Sequence, residues 1–330
     1  MMKKIDTNIQ WLLEGPAWIR YNVLVNLLEK SGNSTRVKST YDEMMTDPHI
    51  IQSLDDLKEW EYAVLKRHND ASHPIHKLSF LAEIGVSPEE PHITSVISII
   101  LTHQSVEGPI QALSNYPTNF GGSGKDEWLW CLCDAPLILY SLSKFGLRNN
   151  KAVQTAQNHL NSLARNNGWP CAASEALGKF RGPGKKEDPC PYANLLMLKV
   201  LAESKNKEQL RNAYIGIETL LSLWEHSREK RPYLFKMGTD FRKLKVPFVW
   251  YDILHVLDVL SKYPRIHNDP RFSSMLEVVV NKAGPDFRFS SESIWTRWKG
   301  WEFCQKREPS RWVTYSVFRI LKRLGGFPPI

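Results

Sequence analysis

The sequence predicts an all-α protein built from repeated pairs of helices. Three observations lead to this prediction. Apolar residues recur at helical spacing along most of the chain, from Leu12 to Leu321. Five of these apolar stretches begin at intervals of about 57 to 61 residues, and a fixed period of that length indicates a repeat architecture. Sequence signals for β-strands are few.

The first 57 residues predict a helical extension ahead of the repeats. Residues 9–29 (IQWLLEGPAWIRYNVLVNLLE) contain two short apolar segments that Gly15-Pro16 separates. Residues 30–40 are expected to be a polar linker, and residues 41–57 a further helix interrupted near Asp47-Pro48. We therefore expect an N-terminal extension over 1–57 and a repeat region over 58–330, together forming a single domain.

The repeats predict an inner and an outer layer of helices. Apolar helices suited to an inner layer are expected to begin near His76, Cys133, Cys190, Tyr251 and Arg311. Each of them except the last precedes a helix with one polar face, over residues 91–102, 150–164, 207–226 and 270–282. Because such pairs cannot bury their apolar faces alone, they stack into a solenoid or close into a ring.

Composition narrows the class of protein. The 330 residues are 42% hydrophobic and 24% charged, enough to bury a sizeable core. The formal net charge of +8 is spread along the chain, so it permits an anionic ligand, and nucleic acid is not the expected partner. No apolar region follows the start MMKK, and the apolar runs are too short to span a bilayer. We expect a cytoplasmic protein whose cysteines are reduced.

In this interpretation the functional site is built around residues 166–196 (NNGWPCAASEALGKFRGPGKKEDPCPYANLL). This stretch places Cys171 and Cys190 on the two sides of a loop rich in glycine, proline and basic residues. An apolar helix begins directly after Asp188-Pro189. We expect the loop to lie at the mouth of a cavity, with Cys190 facing inward.

A metal site is one hypothesis for this mouth. Cys133 and Cys190 occupy equivalent positions in successive repeats, and His76 and Asp252 lie near the same point of two others. In a closed ring these side chains would converge, with Cys171 as a further ligand. Thiolate, imidazole and carboxylate are the ligands that zinc prefers, so zinc is the expected metal. The alternative is that the cysteines are small hydrophobic residues of the core.

Basic residues of the same loop indicate an anion or diphosphate pocket. Helix N-termini attract anions, and the loop would add cations to them. The alternative is an ordinary solvated surface loop. The candidate cations, including one from the last repeat, are Lys179, Arg181, Lys185, Lys186 and Arg311.

Aromatic residues cluster at or just before the starts of the inner helices. They either line an apolar cavity or pack between repeats in the core. The candidates for ligand contact are Trp130, Trp169, Trp250, Tyr251 and Trp312.

Two carboxylates are candidates for acid–base catalysis. Asp134 and Asp252 each precede an apolar helix and would lie at the cavity mouth. The alternative role of both is to cap those helices, and the Pro136 that follows Asp134 favours it. For His76 three roles stay open, namely metal ligand, base or helix cap.

The chain also resembles a known group of proteins. The segments WLLEGPAWIRYNVL (11–24), NGWPC (167–171), FVWYDILHVLDVL (248–260) and EPSRWVTYSVFRIL (308–321) resemble bacterial prenyltransferase or squalene-cyclase repeat proteins. The wider superfamily includes terpenoid cyclases and protein prenyltransferase β subunits. The resemblance implies an α/α toroid of inner and outer helices around a central cavity.

Two departures limit what the resemblance implies about function. The sequence has no Asp-x-Asp-Asp motif, with which class II cyclases protonate a polyene. Protein prenyltransferases hold zinc with Asp-x-Cys and a distant His, whereas Cys133 and Asp134 are adjacent here. Since a fold does not carry a function with it, the zinc geometry is not transferred.

We expect a protein that holds an apolar, isoprenoid-like molecule, with or without a diphosphate, in the cavity. An enzyme of this kind would be a transferase, lyase or isomerase. The alternative is a non-catalytic helical-repeat scaffold that binds a peptide or a protein partner.

Overall fold

The structure, a computed structural model, describes residues 2–178, 184–202, 204–227, 229 and 235–325. Most of this part is helical, which confirms the predicted all-α class in its general form. The α-helices are α1 (Met2–Leu13), α2 (Ala17–Asn22), α3 (Thr35–Met44), α4 (Pro48–Asp55), α5 (Pro74–Ile84), α6 (Pro91–Thr102), α7 (Ala135–Lys144), α8 (Lys151–Ser162), α9 (Pro191–Leu201), α10 (Lys207–Glu225), α11 (Ile253–Leu260), α12 (Pro270–Val280) and α13 (Arg311–Arg323).

One small antiparallel sheet interrupts the helical chain. Strand β1 (Ala112–Ser114) pairs with β2 (Glu127–Leu129), with Ala112 opposite Leu129. The two strands form a hairpin between α6 and α7, and the segment that follows β2 leads into α7.

The predicted helix pairs are present. Helices α5, α7, α9, α11 and α13 begin within two residues of the predicted starts, and α6, α8, α10 and α12 follow the first four of them. Every residue of α9 and of α11 is buried, as expected for an inner layer. In α12, by contrast, the buried side chains are Phe272, Met275 and Val279, which share one face.

The prediction of a polar linker over residues 30–40 was wrong in its second half. Helix α3 begins at Thr35, where the Ser34 hydroxyl accepts a hydrogen bond from the N–H of Val37. Val37, Thr40 and Met44 bury one face of this otherwise polar helix. The spacing of these three residues was the missed signal.

Residue contacts divide the chain into two compact units. The first comprises Met1–Ser53, Thr239–Phe248 and Asp252–Ile330, and the second comprises Leu54–Gly238 and Val249–Tyr251. In the first unit, α13 packs against α11 and against the N-terminal helices α1 and α2. In the second, α7 packs between α5 and α9, while α8 packs on α7 and α10 on α9. The toroidal closure that the resemblance implies stays a prediction.

Buried charges on the inner helices are paired within each unit. In the second unit the ammonium of Lys199 lies 3.8 Å from Glu83 and 4.4 Å above the ring of Tyr140. In the first unit the guanidinium of Arg319 lies 2.8 Å from Asp258. A buried charge requires such a partner, so these pairs constrain which helix faces can meet. None of the described helices combines the length and apolar content needed to cross a bilayer.

Candidate functional site

The candidate site lies in the second unit, where the segment Trp169–Ser174 is hydrogen-bonded along both edges. On one edge the N–H of Leu132 donates to the carbonyl of Ala172 (2.9 Å). The N–H of Ser174 donates to the carbonyl of Trp130 (2.8 Å). This edge ties the segment to the residues that precede α7.

The other edge ties the same segment to the start of α9. The N–H of Cys190 donates to the carbonyl of Trp169 (2.8 Å), and Pro170 lies opposite Pro189. The segment therefore spans the distance between the starts of α7 and α9. Cys171 lies on it, and the two neighbouring segments carry Cys133 and Cys190.

A buried amide on α9 holds this arrangement in place. The Asn194 side chain accepts a hydrogen bond from the N–H of Trp169 (3.0 Å) and donates to the carbonyls of Trp169 (2.9 Å) and Cys190 (2.8 Å). Gly168 has a φ of +103°, and a Cβ there would lie 2.4 Å from the Asn194 side-chain oxygen. Only glycine fits the turn that leads into the segment.

The sulfur of Cys190 lies at the N-terminus of α9. The sulfur does not form a regular capping hydrogen bond with the described first turn. The backbone N–H groups of Tyr192 and Ala193 nevertheless interact with it and stabilise its thiolate form. The thiol of Cys133 is in hydrogen-bond contact with the same sulfur. A helix N-terminus and a thiol donor therefore both favour negative charge on Cys190.

The two cysteines differ in acidity as a result. The hydrogen bond from Cys133 lowers the pKa of Cys190 below its ordinary value. Burial acts in the opposite direction, and the two backbone N–H groups add to the lowering. The same hydrogen bond, together with burial and the charge on Cys190, raises the pKa of Cys133 well above its ordinary value. Within the pair, the negative charge is therefore favoured on Cys190 and the proton on Cys133.

An imidazole–carboxylate pair accompanies the two thiols. His68, in the segment before α5, places its Nδ1 atom 3.0 and 2.9 Å from the two carboxylate oxygens of Asp134. The hydroxyl of Tyr116 donates to the same carboxylate (3.1 Å). Because the carboxylate accepts both bonds, the Nδ1 atom of His68 carries a proton and Nε2 is the nitrogen left for chemistry.

His68 interacts electrostatically with Cys190. Burial alone would lower the pKa of His68, but its bond to Asp134 and the charge on Cys190 outweigh that effect and raise it. The charge of His68 in turn favours the Cys190 thiolate. The His68 side chain is 23% exposed, whereas that of Asp134 is 5% exposed. Solvent thus reaches the site at His68.

The other histidines of this segment are structural. Nε2 of His76 donates to the carbonyl of His68 (3.0 Å), and its Nδ1 has no hydrogen-bond partner among the described residues. Burial, followed by the charge of His73, lowers the pKa of His76 to about 3, so the ring is neutral. The predicted capping role belongs to His73, whose Nδ1 accepts from the N–H of Ile75 (3.1 Å).

The two candidate carboxylates have different roles. Asp134 directs its carboxylate to His68 and Tyr116 and makes no capping hydrogen bond within the described first turn of α7, which corrects the capping alternative. Asp252 does cap a helix, since it accepts from the N–H of His255 (3.0 Å) at the start of α11. Asp252 belongs to the first unit, while Asp134 belongs to the second.

The predicted zinc ligands are brought together only in part. Cys133 and Cys190 are in contact, and Cys171 is close enough to influence the pKa of Cys133. Among the described residues, however, no group of three or more histidine, cysteine or acidic side chains is arranged to hold a metal ion. The zinc site therefore stays a prediction that the geometry of the described residues does not support.

Only part of the predicted anion pocket can be located. Lys179 and Arg181 lie outside the described residues, and Lys185 and Lys186 are exposed. Arg311 belongs to the first unit, where its side chain donates to the carbonyl of Trp11 (3.0 Å) and covers the Trp11 ring. Arg311 thus anchors α1, which is a packing role.

Three of the predicted aromatic contacts have packing roles. Trp169 is fully buried and donates to the carbonyl of Leu160 (2.9 Å), while Trp130 donates to Glu107 (2.6 Å). Trp312, in the first unit, packs against Trp18 with ring centroids 4.9 Å apart. These contacts correspond to the core-packing alternative.

Trp250 and Tyr251 belong instead to an aromatic cluster beside Cys190. The rings of Trp250 and Tyr192 lie 4.3 Å apart, and Phe235 lies 5.2 Å from Tyr251 and 5.5 Å from Trp250. Burial, followed by the charge of Cys190, raises the pKa of Tyr251 well above its ordinary value. An aromatic cluster therefore adjoins the candidate thiolate, with Tyr192 and Tyr251 buried and Trp250 and Phe235 half-buried.

Two functional candidates, His68 and Tyr116, were not found by sequence reasoning. His68 lies in an irregular segment before α5, and Tyr116 follows β1. Neither belongs to a motif or occupies a repeat position. The density of histidine and aspartate over residues 68–76 (HNDASHPIH) was the only available signal.

Comparison with known proteins assigns this chain to no family. No family model matches the chain, and no curated protein and no solved structure matches it. The resemblance to prenyltransferase and squalene-cyclase repeat proteins therefore stays a prediction.

Replacement of Asn194 by leucine should destabilise the second unit. The substitution keeps the number and branching of the side-chain heavy atoms but leaves the buried N–H of Trp169 without its acceptor. We expect a loss of about 2 to 4 kcal/mol in the free energy of unfolding, measured by urea denaturation. Asn158→Leu is the control, because Asn158 is exposed and accepts only one long bond (3.4 Å). Equal stability of the two variants would show that Asn194 does not hold the segment.

Asp252 should make the stability of the first unit depend on pH. Burial raises the pKa of Asp252 from 3.8 to about 7, and its second oxygen has no hydrogen-bond partner among the described residues. The folded protein therefore keeps a proton that the unfolded chain releases, so this contribution to stability is lost as pH rises from about 4 to about 7.

The variant Asp252→Asn tests this directly, because it keeps the capping oxygen and removes the titration. The free energy of unfolding of the variant minus that of the wild type should rise with pH. Between about pH 4 and pH 8 this difference should increase by about 4 kcal/mol at most. Urea denaturation across this range measures the difference. A difference that does not change with pH would contradict the assignment.

Proposed function

We propose that the protein is a cysteine-dependent enzyme in which Cys190 is the nucleophile and His68 the general acid and base. The observation that carries the proposal is the convergence of a helix-terminal thiol with a histidine whose Nδ1 atom is bonded to Asp134. A nucleophile, a base and a group that orients the base form the arrangement used for covalent catalysis.

Acyl transfer is the reaction class that these groups support. The Cys190 thiolate attacks an acyl carbon, the bond to the leaving oxygen breaks, and His68 donates a proton to that oxygen. A water or hydroxyl acceptor then loses a proton to His68 and attacks the thioester, which releases the Cys190 thiolate. Asp134 acts through His68, because its bond fixes the ring and favours the protonated form. Tyr116 acts through Asp134, because its hydroxyl donates to the carboxylate and holds it in place.

The proposed substrate is largely apolar. The cluster of Tyr192, Trp250, Tyr251 and Phe235 beside Cys190 supports this class, since aromatic side chains provide apolar contact area. The resemblance stated above implies an isoprenoid-like ligand, and an acyl ester of similar polarity meets the same requirement. In this proposal Trp250 and Phe235, the half-buried members of the cluster, contact the apolar part, and the thiolate meets the electrophilic carbon.

Hydrolysis of p-nitrophenyl octanoate, an apolar acyl ester, tests the proposal. We expect the wild type to release p-nitrophenolate with an acyl-enzyme at Cys190 that mass spectrometry detects. Cys190→Ser and His68→Ala should each lose about 10²-fold or more in kcat/KM, because they remove the nucleophile or the base. Asp134→Asn should lower kcat more than it raises KM.

Cys304→Ser is the matched control, because Cys304 belongs to the first unit. It should keep the wild-type rate within about twofold, as expected of a substitution away from the site. Hydrolysis that persists in Cys190→Ser would refute the proposal. Absence of wild-type turnover would refute the acyl-ester reaction and favour the non-catalytic scaffold. Stoichiometric zinc that is lost in Cys133→Ser/Cys190→Ser would favour the metal site instead.

A further inference from the structure

A second reactive group lies directly against the proposed nucleophile. Cys133 precedes α7, Cys190 precedes α9, and α7 and α9 pack side by side in the second unit. The hydrogen-bonded segment between the two helix starts sets their separation, and the two sulfurs are in contact. Two thiols in hydrogen-bond contact are close enough to be the two partners of a disulfide.

We propose that Cys133 and Cys190 form a reversible dithiol–disulfide couple, with Cys190 as the site that a hydroperoxide oxidises and Cys133 as the resolving thiol. The inference uses the Cys190 thiolate of the proposed function but not its acyl-transfer reaction. It assigns a modification site and a means of switching that reaction off.

The first step is oxidation of Cys190. The Cys190 thiolate attacks one oxygen of the hydroperoxide, the O–O bond breaks, and the second oxygen leaves as an alcohol or water after taking up a proton. Cys190 becomes a sulfenic acid, and the hydroperoxide is reduced by two electrons. In this proposal Nε2 of His68 supplies that proton, because Nδ1 is bonded to Asp134.

The second step is resolution by Cys133. Its thiol loses a proton, its sulfur attacks the sulfur of the sulfenic acid, and the hydroxyl leaves as water. In the reduced protein the hydrogen bond to Cys190 is the main reason that Cys133 keeps its proton. Once Cys190 is an uncharged sulfenic acid, its negative charge no longer holds the proton on Cys133. Cys133 then loses that proton more readily, and is a better nucleophile, than in the reduced protein. An external dithiol returns both residues to the reduced form.

The neighbouring thiols are less suited to this role. Cys131 is in hydrogen-bond contact with the hydroxyl of Tyr116, and burial raises its pKa well above the ordinary value. Cys171 is partly exposed, and it interacts electrostatically with Cys131 and Cys133. Cys133, by contrast, is in hydrogen-bond contact with Cys190.

Treatment of the full-length reduced protein with a small excess of hydrogen peroxide tests the proposal. Titratable thiols should fall from five, the number of cysteines in the chain, to about three. Peptide mapping under non-reducing conditions should show a Cys133–Cys190 crosslink that dithiothreitol removes. Alkylation of Cys190 by iodoacetamide should stop on oxidation and return on reduction.

Two variants make the test specific. Cys133→Ser should keep the alkylation of Cys190 but form no disulfide, and its sulfenic acid should be trapped by dimedone. Cys171→Ser is the matched control and should form the crosslink at the wild-type rate. A crosslink between Cys190 and Cys171, or two thiols lost without any crosslink, would overturn the proposal. Circular dichroism verifies that each variant is folded.

The outcome is independent of the ester assay. A protein that fails to hydrolyse the ester but forms the crosslink would refute the acyl-transfer proposal and support the thiol couple. A protein that hydrolyses the ester through Cys190 but forms no crosslink would support the acyl-transfer proposal and refute the thiol couple.

Discussion

The position of the candidate nucleophile depends on the segment Trp169–Ser174, which is hydrogen-bonded to the chain on both of its edges. Its carbonyl at Trp169 accepts from the N–H of Cys190, and its carbonyl at Ala172 accepts from the N–H of Leu132. Backbone hydrogen bonds of this kind have a fixed length, so they set the separation of two helix starts. The contact between Cys133 and Cys190 follows from that separation.

The electrostatics of the site follow from the same placement. A thiolate inside a protein is costly unless donors surround it, and the start of α9 supplies backbone N–H groups that have no partner within the helix. Cys133 and His68 add a thiol proton and a positive charge. The carboxylate of Asp134 in turn compensates the charge on His68. Each group is therefore stabilised by its neighbour, and removal of one changes the protonation of the others.

The repeat pattern was sufficient to predict where helices α5, α7, α9, α11 and α13 begin, and to predict part of the site. Proline and acidic residues mark the helix starts, and the period places Cys133 and Cys190 at equivalent positions on α7 and α9, which are neighbours. The contact between the two thiols could therefore be anticipated from sequence. Asp134 and Asp252 could not be told apart in this way, since both precede an apolar helix. A histidine 66 residues away in the chain engages the carboxylate of Asp134, and local sequence does not encode that contact.

His68 and Tyr116 could not be identified from the sequence for the same reason, since local sequence does not encode tertiary contacts. Both lie in irregular segments whose paths are set by tertiary contacts, such as the hydrogen bond from His76 to the carbonyl of His68. Helical periodicity carries no information about such segments.

The most direct test of this account is the acidity of Cys190 itself. The ultraviolet absorbance of thiolate, measured across a pH titration as the difference between the wild type and Cys190→Ser, reports it without any substrate. We expect a midpoint below the ordinary value of 9.0 and a shift toward that value in His68→Ala. A midpoint at or above 9.0 in the wild type would contradict it, because the helix terminus, Cys133 and His68 would then not stabilise a thiolate at this position.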